Sequence, residues 1–268
     1  MTSNALRLCA AIAAIVATLA ACGTSTSSDQ TVGWPPDRLY AEAKDEIAVG
    51  NYDRGIQYLE KLESSYPFGR WAQQAQLEIA WAHYKAGERA LALAAVDRFL
   101  RLHPEHPALD YALYLKGLIN FNEQQGLTAW LGNQDLAERD LQAARDAFDT
   151  FKQLVTRFPE SKYTPDAEAR MVYLLGSMAR GEMLIARYYF QRGAYVAAAN
   201  RAQVVVRQYQ QAPAVEEALA ILVLSYDRLG MEDLRDDAKR VLERNFPDSD
   251  VVSRVQAADD RSWWQVWR

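Results

Sequence analysis

The most reactive side chains of this sequence do not form a catalytic or metal-binding pattern. The candidates are three histidines and two adjacent carboxylate pairs: His83, His103, His106, Glu216-Glu217 and Asp259-Asp260. The spacing of His103 and His106 could suit a metal, but Pro104 breaks a helix there and no cysteine or acidic cluster joins them. We interpret the histidines as loop or packing residues and the carboxylate pairs as solvated helix faces. Because nucleotide-binding and nucleophile-elbow motifs are also absent, the sequence predicts a binding protein and not an enzyme, without metal or cofactor.

Cys22 offers a different chemistry, which is acylation. Arg7 precedes a short apolar stretch that ends in Leu19-Ala20-Ala21 before this cysteine. The stretch is too short to span a bilayer comfortably and is typical of a signal peptide. The pattern resembles the bacterial lipobox, in which the peptide is cleaved before a cysteine that then carries lipid. A plain secretory peptide cut after Ala21, or an uncleaved anchor, is the alternative.

The lipobox interpretation predicts a signal peptide over residues 1–21 and a lipidated cysteine with a flexible Ser/Thr-rich tether over 22–33. Cleavage would remove Cys9, so the mature chain could form no internal disulfide. The lipoprotein rule implies that Gly23, rather than aspartate, directs the protein to the outer membrane. The covalent lipid on Cys22 is then the only non-protein group we expect, and it provides the membrane anchor.

The composition predicts an all-α fold. The chain has 268 residues, of which 50% are hydrophobic, and helix-forming residues dominate without the alternation of a β-strand. This length supports a substantial core. The net charge of −5 and the lack of a basic stripe argue against nucleic-acid binding.

A repeat organises the chain from Trp34 onward. Glycine and proline recur seventeen residues apart in three copies: Gly50 to Pro67, Gly87 to Pro104 and Gly230 to Pro247. A glycine turn and a terminating proline are typical of stacked helix hairpins, and the pattern resembles the tetratricopeptide repeat. Two less regular copies contain Gly117, Phe151 and Pro159, and Gly193 with Gln210 in place of proline. We predict a five-repeat solenoid over residues 34–249, with an insertion at 123–141.

The longest predicted helix begins near Thr164 and ends before Gly193. It has about 28 residues, with Thr164 as a possible cap and Pro165 in its first turn. We expect its buried stripe to comprise six residues: Ala167, Met171, Leu174, Met178, Ile185 and Tyr189. A second helix then places Ala198, Ala202, Val205 and Tyr209 on one stripe.

The first helices of the hairpins are expected to line a groove for an extended peptide that ends in an aromatic residue and a carboxylate. The repeat register points nine residues into this groove: Tyr40, Lys44, Leu77, Trp81, Tyr84, Lys85, Tyr114, Leu118 and Phe121. Packing between hairpins is the alternative role for several of them.

Arg201 is a candidate for partner binding. Its neighbours on the helix surface are small and apolar, so its own helix offers no carboxylate. Its guanidinium could therefore bind an acidic group of a partner. The alternative is an ion pair with Glu216 or Glu217 in the fifth repeat.

Several segments resemble the BamD family, also called ComL or YfiO, of outer-membrane lipoproteins. The similar stretches are FPESKYTPDAEARMVYL, ARYYFQRGAYVAAANRAQ, PAVEEALAILVLSYDRLG and VLERNFPDS. The resemblance covers essentially the whole mature chain, and its departures are Gln210 and Arg235. It implies a five-repeat protein on the periplasmic face of the outer membrane, within the β-barrel assembly machine.

The resemblance also implies the partners. The C-terminal repeats would bind the periplasmic POTRA region of the barrel-forming subunit BamA, through Arg192, Tyr195, Asn200 and Arg201 of the RGAY…NR motif. The N-terminal repeats would recognise C-terminal signals of unfolded barrel proteins and dock other lipoproteins of the machine. A different repeat lipoprotein, such as a pilotin or a cell-wall synthesis coordinator, is the alternative.

The tail over residues 250–268 holds three tryptophans within five residues, Trp263, Trp264 and Trp267. We expect residues 248–260 to extend as a short helix and the tail to cap the solenoid or to contact a partner. Contact with the membrane interface is the alternative.

Overall fold

The computed structural model describes residues 31–121 and 141–259. All regular structure in these ranges is helical. We number the described helices in chain order: α1 Pro36–Ala48, α2 Tyr52–Ser65, α3 Arg70–Lys85, α4 Arg89–Leu102, α5 Leu109–Phe121, α6 Leu141–Arg157, α7 Thr164–Gln191, α8 Tyr195–Gln208, α9 Val215–Arg228, α10 Glu232–Asn245 and α11 Val251–Asp259.

The described helices pack as five antiparallel hairpins: α1 with α2, α3 with α4, α5 with α6, α7 with α8 and α9 with α10. The second helix of each hairpin also packs against the first helix of the next. First helices touch one another as well, α1 with α3, α3 with α5, and α7 with α9. This arrangement confirms the predicted all-α, tetratricopeptide-like solenoid.

The turn within four of the hairpins is built on a glycine in the left-handed conformation. At Gly50 the φ angle is 88°, and the amide of Asn51 donates to the carbonyl oxygen of Glu46 at 2.8 Å. Gly193 has a φ angle of 73° in the equivalent turn. A side chain other than hydrogen is strained in this conformation, so glycine ends the first helix as predicted.

Small residues five positions after these glycines let the two helices of a hairpin approach closely. Gly55, Ala92 and Ala198 occupy this position and are buried. In the fifth hairpin the position is held by Arg235, whose guanidinium lies 3.2 Å from the carboxylate of Asp227 on α9. An ion pair therefore stands where the other hairpins have a close contact.

α7 is twice as long as most of its neighbours and packs against α6, α8 and α9. Its start differs from the expectation, because the Thr164 hydroxyl donates to the carbonyl of Phe158 at 2.8 Å and does not cap the helix. The stripe prediction was right for Ala167, Leu174 and Met178, which are buried, whereas Met171, Ile185 and Tyr189 are only half-buried. Beyond Met178 the large buried hydrophobic residues are Met183 and Phe190.

α11 packs against α9 at the C-terminal end of the solenoid, where a short helix was predicted. The predicted signal peptide, Cys22, most of the predicted tether, the predicted 123–141 insertion except Leu141, and the tryptophans of the tail lie outside the described residues. Within the described ranges, none of the helices has both the length and the hydrophobicity that a transmembrane span needs.

Candidate functional site

Aromatic and polar side chains from consecutive first helices meet on one face of the solenoid, here called the first-helix face. Between α1 and α3, the Tyr40 hydroxyl donates to Oε1 of Glu78 at 3.0 Å. The ammonium of Lys44 lies 2.9 Å from Oε2 of the same carboxylate. The Tyr40 ring packs on Trp71, with centroids 5.6 Å apart. Burial, and then the charge and hydrogen bond of Glu78, raise the pKa of Tyr40 to about 12.

The same face continues between α5 and α7. The Tyr114 hydroxyl donates to Oδ2 of Asp166 at 2.8 Å, and its ring stacks on Tyr163 with centroids 4.7 Å apart. Burial, and then the hydrogen bond to Asp166, raise the pKa of Tyr114 to about 12. Burial of Asp166 acts to raise its own pKa, but hydrogen bonds from Arg170 and Tyr114 outweigh it and leave that pKa lowered. The Tyr111 ring lies on the same face, with its centroid 5.7 Å from that of Tyr163.

Three further residues that were predicted to line the groove lie together on α3. The rings of Trp81 and Tyr84 are 5.6 Å apart, and Nζ of Lys85 lies 5.5 Å from the centroid of the Trp81 ring. Trp81 and Tyr84 are half-buried, whereas Lys85 is exposed. An ammonium held over an indole remains available to an anionic ligand.

Leu77 and Leu118 correct the groove prediction. Both are buried, at 7% and 8% exposure, in the cores between hairpins. Leu77 packs in a cluster with Phe99 and Leu115, so it cannot line an open groove. Phe121 is half-buried and contacts Phe151 and Tyr173, with Arg170 4.8 Å from its centroid. The repeat register placed these residues on first helices, but it did not distinguish the helix face that was predicted to line the groove from the adjacent face that packs in the core.

Sequence reasoning missed four residues of the first-helix face: Trp71, Glu78, Tyr111 and Tyr163. Trp71 and Glu78 are seven residues apart on α3, which is two helical turns, and Tyr111 lies one turn before Tyr114. Helical spacing from the predicted residues was the signal that could have identified them. Tyr163 precedes α7, and only the fold places it beside Tyr114.

Arg201 contacts a carboxylate other than the two that were predicted as its alternative partners. Its Nη1 lies 3.1 Å from Oε2 of Glu182 on α7, the other helix of its own hairpin. Arg145 on α6 approaches the second oxygen, Oε1, at 3.4 Å. The Glu182 side chain is 2% exposed and each arginine side chain 45%. One buried carboxylate is thus shared by two half-exposed guanidinium groups.

Glu216 and Glu217 do not form the ion pair with Arg201 that was the alternative prediction. They are also not simply solvated. Glu217 forms a bidentate ion pair with Arg187 on α7. The carboxylate of Glu216 accepts from the hydroxyl of Ser249 at 2.6 Å and lies 3.6 Å from Arg254 of α11. These pairs connect the fourth hairpin, the fifth hairpin and α11.

The remaining residues of the RGAY…NR motif lie near the turn between α7 and α8. Arg192 is exposed, with its guanidinium carbon 5.4 Å from the Tyr188 ring. The Tyr195 hydroxyl accepts from Arg228 of α9 at 3.0 Å. Asn200 is exposed on α8. This surface has cationic and hydrogen-bonding groups that face solvent.

The histidines have local partners. Nε2 of His103 lies 3.0 Å from Oε1 of Gln76, and Nδ1 of His106 accepts from the amide of Ala108 at 3.1 Å. Burial, and then the neighbouring His103, lower the pKa of His106. In the ranges 31–121 and 141–259, no three histidine, cysteine or acidic side chains converge as metal ligands would.

Comparison with known proteins identifies the family. Residues 34–241 match the family model described as "YfiO: Outer membrane lipoprotein". Proteins named "Outer membrane protein assembly factor BamD" from Neisseria meningitidis serogroups B and A are 50% and 49% identical over 253 residues, which is 93% of this chain and 95% of each relative. The protein of the same name from Vibrio cholerae is 36% identical over 223 residues, covering 83% of this chain and 92% of the relative. The chain therefore belongs to the YfiO family of outer membrane lipoproteins, to which the resemblance to BamD had pointed.

Proposed function

We propose that this protein is a lipid-anchored assembly factor for outer-membrane β-barrel proteins, on the periplasmic face of that membrane. The observation that carries the proposal is the 49–50% identity, over nearly all of the chain, to proteins named as outer membrane protein assembly factors. The protein acts by binding other proteins rather than by catalysis, and the lipid on Cys22 anchors it to the membrane. Family membership favours this function over that of a pilotin or a cell-wall coordinator.

The first-helix face of the first three hairpins is the proposed site for C-terminal segments of unfolded barrel proteins. Tyr40, Trp81, Tyr84 and Tyr114 offer aromatic surface to an apolar or aromatic side chain. Lys85 is exposed and makes no ion pair within the described residues, so it suits a terminal carboxylate. Lys44 suits that role less well, because Glu78 already holds its ammonium.

The fourth hairpin and its neighbours are the proposed site for BamA. Arg192, Tyr195 and Asn200 lie at the α7–α8 end, and Arg201 lies on the adjacent surface of α8. About half of the Arg201 side chain is exposed to solvent, although its guanidinium is paired with Glu182. Arg201 can therefore also contact a POTRA domain. We expect other lipoproteins of the machine to dock on the remaining surfaces.

Depletion of the protein in its own bacterium tests the function. The proposal predicts lower levels of folded, heat-modifiable barrel proteins in the outer membrane, restored by a plasmid copy. A Cys22→Ala copy should be released from the membrane fraction, and labelled palmitate should not enter it. Normal barrel levels after depletion, or copurification with a secretin instead of a barrel-forming subunit, would contradict the proposal.

A further inference from the structure

A pocket lies where the fourth hairpin, the fifth hairpin and α11 meet. It has a volume of about 370 Å³ and is lined by residues from the end of α7, the start of α9 and the first half of α11. Phe190, Ile221 and Val251 are buried in its wall, and Val255 of α11 is half-buried. Ligand sites usually have about 300–1,000 Å³, so this pocket fits one or two side chains and not an extended peptide. We call it the α11 pocket.

The charged side chains of the α11 pocket neutralise one another. Two arginines and two glutamates belong to its described lining. Arg187 forms a bidentate ion pair with Glu217, and the carboxylate of Glu216 lies 3.6 Å from Arg254. Each carboxylate can still accept further hydrogen bonds, because it has about four lone-pair sites. The pocket therefore favours an uncharged, apolar occupant that carries a hydrogen-bond donor.

Tryptophan has this chemistry, because its indole is a large apolar ring with one N–H donor. Three tryptophans, Trp263, Trp264 and Trp267, follow α11 in the sequence. Within α11, Val255 precedes the final residue Asp259 by four positions, so the pocket lies only about 6 Å back along the helix. Four extended residues span about 13 Å, so Trp263 and Trp264 can reach the pocket from Asp259.

Exposed apolar side chains on α10 are the competing surface near this end of the solenoid. Leu234 and Val241 are 47% and 43% exposed, but charged and exposed residues such as Asp237 and Arg240 lie among them. α11 packs against α9 and itself lines the pocket, so the chain leaves α11 beside the pocket. Proximity and apolar enclosure thus both favour the α11 pocket over α10.

We propose that the α11 pocket binds an indole of the Trp263–Trp264 pair, so that the chain's own tail closes the C-terminal end of the solenoid. The indole would pack on Phe190 and Val255, and its N–H would donate to the carboxylate of Glu216 or Glu217. One side chain would then contact α7, α9 and α11 together, and would hold the fourth and fifth hairpins at a fixed angle.

Disulfide trapping in the full-length protein, in membranes of its own bacterium, tests the proposal. The pocket pair is Gln191→Cys with Gln265→Cys, because Gln191 is an exposed residue of the pocket lining and Gln265 follows Trp264. The control pair is Leu234→Cys with Gln265→Cys, which places the first cysteine on α10. A disulfide needs Cα atoms within about 7 Å of each other, and mass spectrometry of the linked peptides identifies it.

We expect the pocket pair to cross-link about fivefold more than the control pair, because docking raises the local concentration of the tail at the pocket. Trp263→Ala with Trp264→Ala should abolish this difference, whereas Trp267→Ala should preserve it. Val255→Glu should also abolish it, because it puts a charge into the apolar pocket. Gln256→Glu is the matched control, since it adds the same charge at the exposed neighbouring position and should preserve the difference.

Three results would overturn the proposal. The first is equal cross-linking of the two pairs, or a preference for α10. The second is a pocket cross-link that persists without both indoles. The third is a disulfide that joins position 265 to a second protein chain in place of position 191, which would show that the tail docks on a partner.

Discussion

The ring of Phe151 lies directly against Gly117, where the two helices of the third hairpin cross. A Cβ atom built on Gly117 would lie 2.3 Å from Cε1 of Phe151, well inside the van der Waals contact distance. Phe151 is fully buried, so its ring has no open space to move into. Glycine at position 117 is therefore a packing requirement of the α5–α6 hairpin.

Gly117→Ala should destabilise the protein. The added methyl group forces the Phe151 ring or the helix backbone to shift, at a cost of about 1–3 kcal/mol. Gly176→Ala on α7 is the control, because its Cβ would meet only Arg180 Nη1, at 3.6 Å. There alanine should stabilise by up to about 1 kcal/mol through helix propensity. Urea unfolding of both variants checks the prediction, and shifts of the same sign would contradict it.

Removing both arginines from Glu182 should also destabilise the fold. Arg145→Ala with Arg201→Ala leaves a carboxylate of 2% exposure without a counterion. We expect a loss of about 2–3 kcal/mol, which a further Glu182→Leu change recovers in large part. Urea unfolding measures all three chains. If Glu182→Leu lowers the stability of the double variant further, the unpaired carboxylate is not the cause of the destabilisation.

Alkaline pH should destabilise the first-helix face. The pKa values of Tyr40 and Tyr114 are raised from 10.0 to about 12, so the folded state holds these protons more tightly than the unfolded chain does. Their contribution is complete below pH 10 and is lost as pH rises from 10 to 12. Urea unfolding across this range should show a shallower decline for Tyr40→Phe with Tyr114→Phe than for the parent chain. Equal slopes would show that these tyrosines titrate normally.

Binding of a barrel protein's C-terminal peptide should depend on Trp81 and Tyr84. Replacing both by alanine removes two aromatic surfaces that contact each other on α3, and affinity should fall by roughly tenfold. Binding to the barrel-forming subunit should persist, since that surface is assigned to the fourth hairpin. Phe68→Ala is the control, because this aromatic side chain is 90% exposed outside the helices. Equal loss of both partners would mean that the first three hairpins had unfolded.

The repeat architecture could be predicted because local rules determine it. Gly50 and Gly193 end first helices through a backbone conformation that other residues avoid, and Ala198 marks a close helix contact. Gln210 replaces the expected proline without consequence, since α8 already ends at Gln208. Each of these features depends on a few neighbouring residues, so the sequence shows it directly.

The sites could be predicted only in part because they depend on distances between helices. Glu182 was missed as the partner of Arg201, since nineteen residues and a turn separate them. Leu77 lies one turn from Trp81 on α3 but packs into the core, because the orientation of a helix face depends on the next hairpin. Hydrophobic periodicity identifies a stripe, but it does not distinguish a core stripe from a groove.

α7 is a continuous helix of 28 residues, about 42 Å long. Near its start Asp166 binds Tyr114 of the third hairpin, in its middle Glu182 binds α6 and α8, and near its end Arg187 binds Glu217 of the fifth hairpin. A continuous helix transmits a tilt at one end to the other, because bending it would stretch its backbone hydrogen bonds. A force on the fifth hairpin would therefore tilt α7 and change its angle to the aromatic residues of the third hairpin.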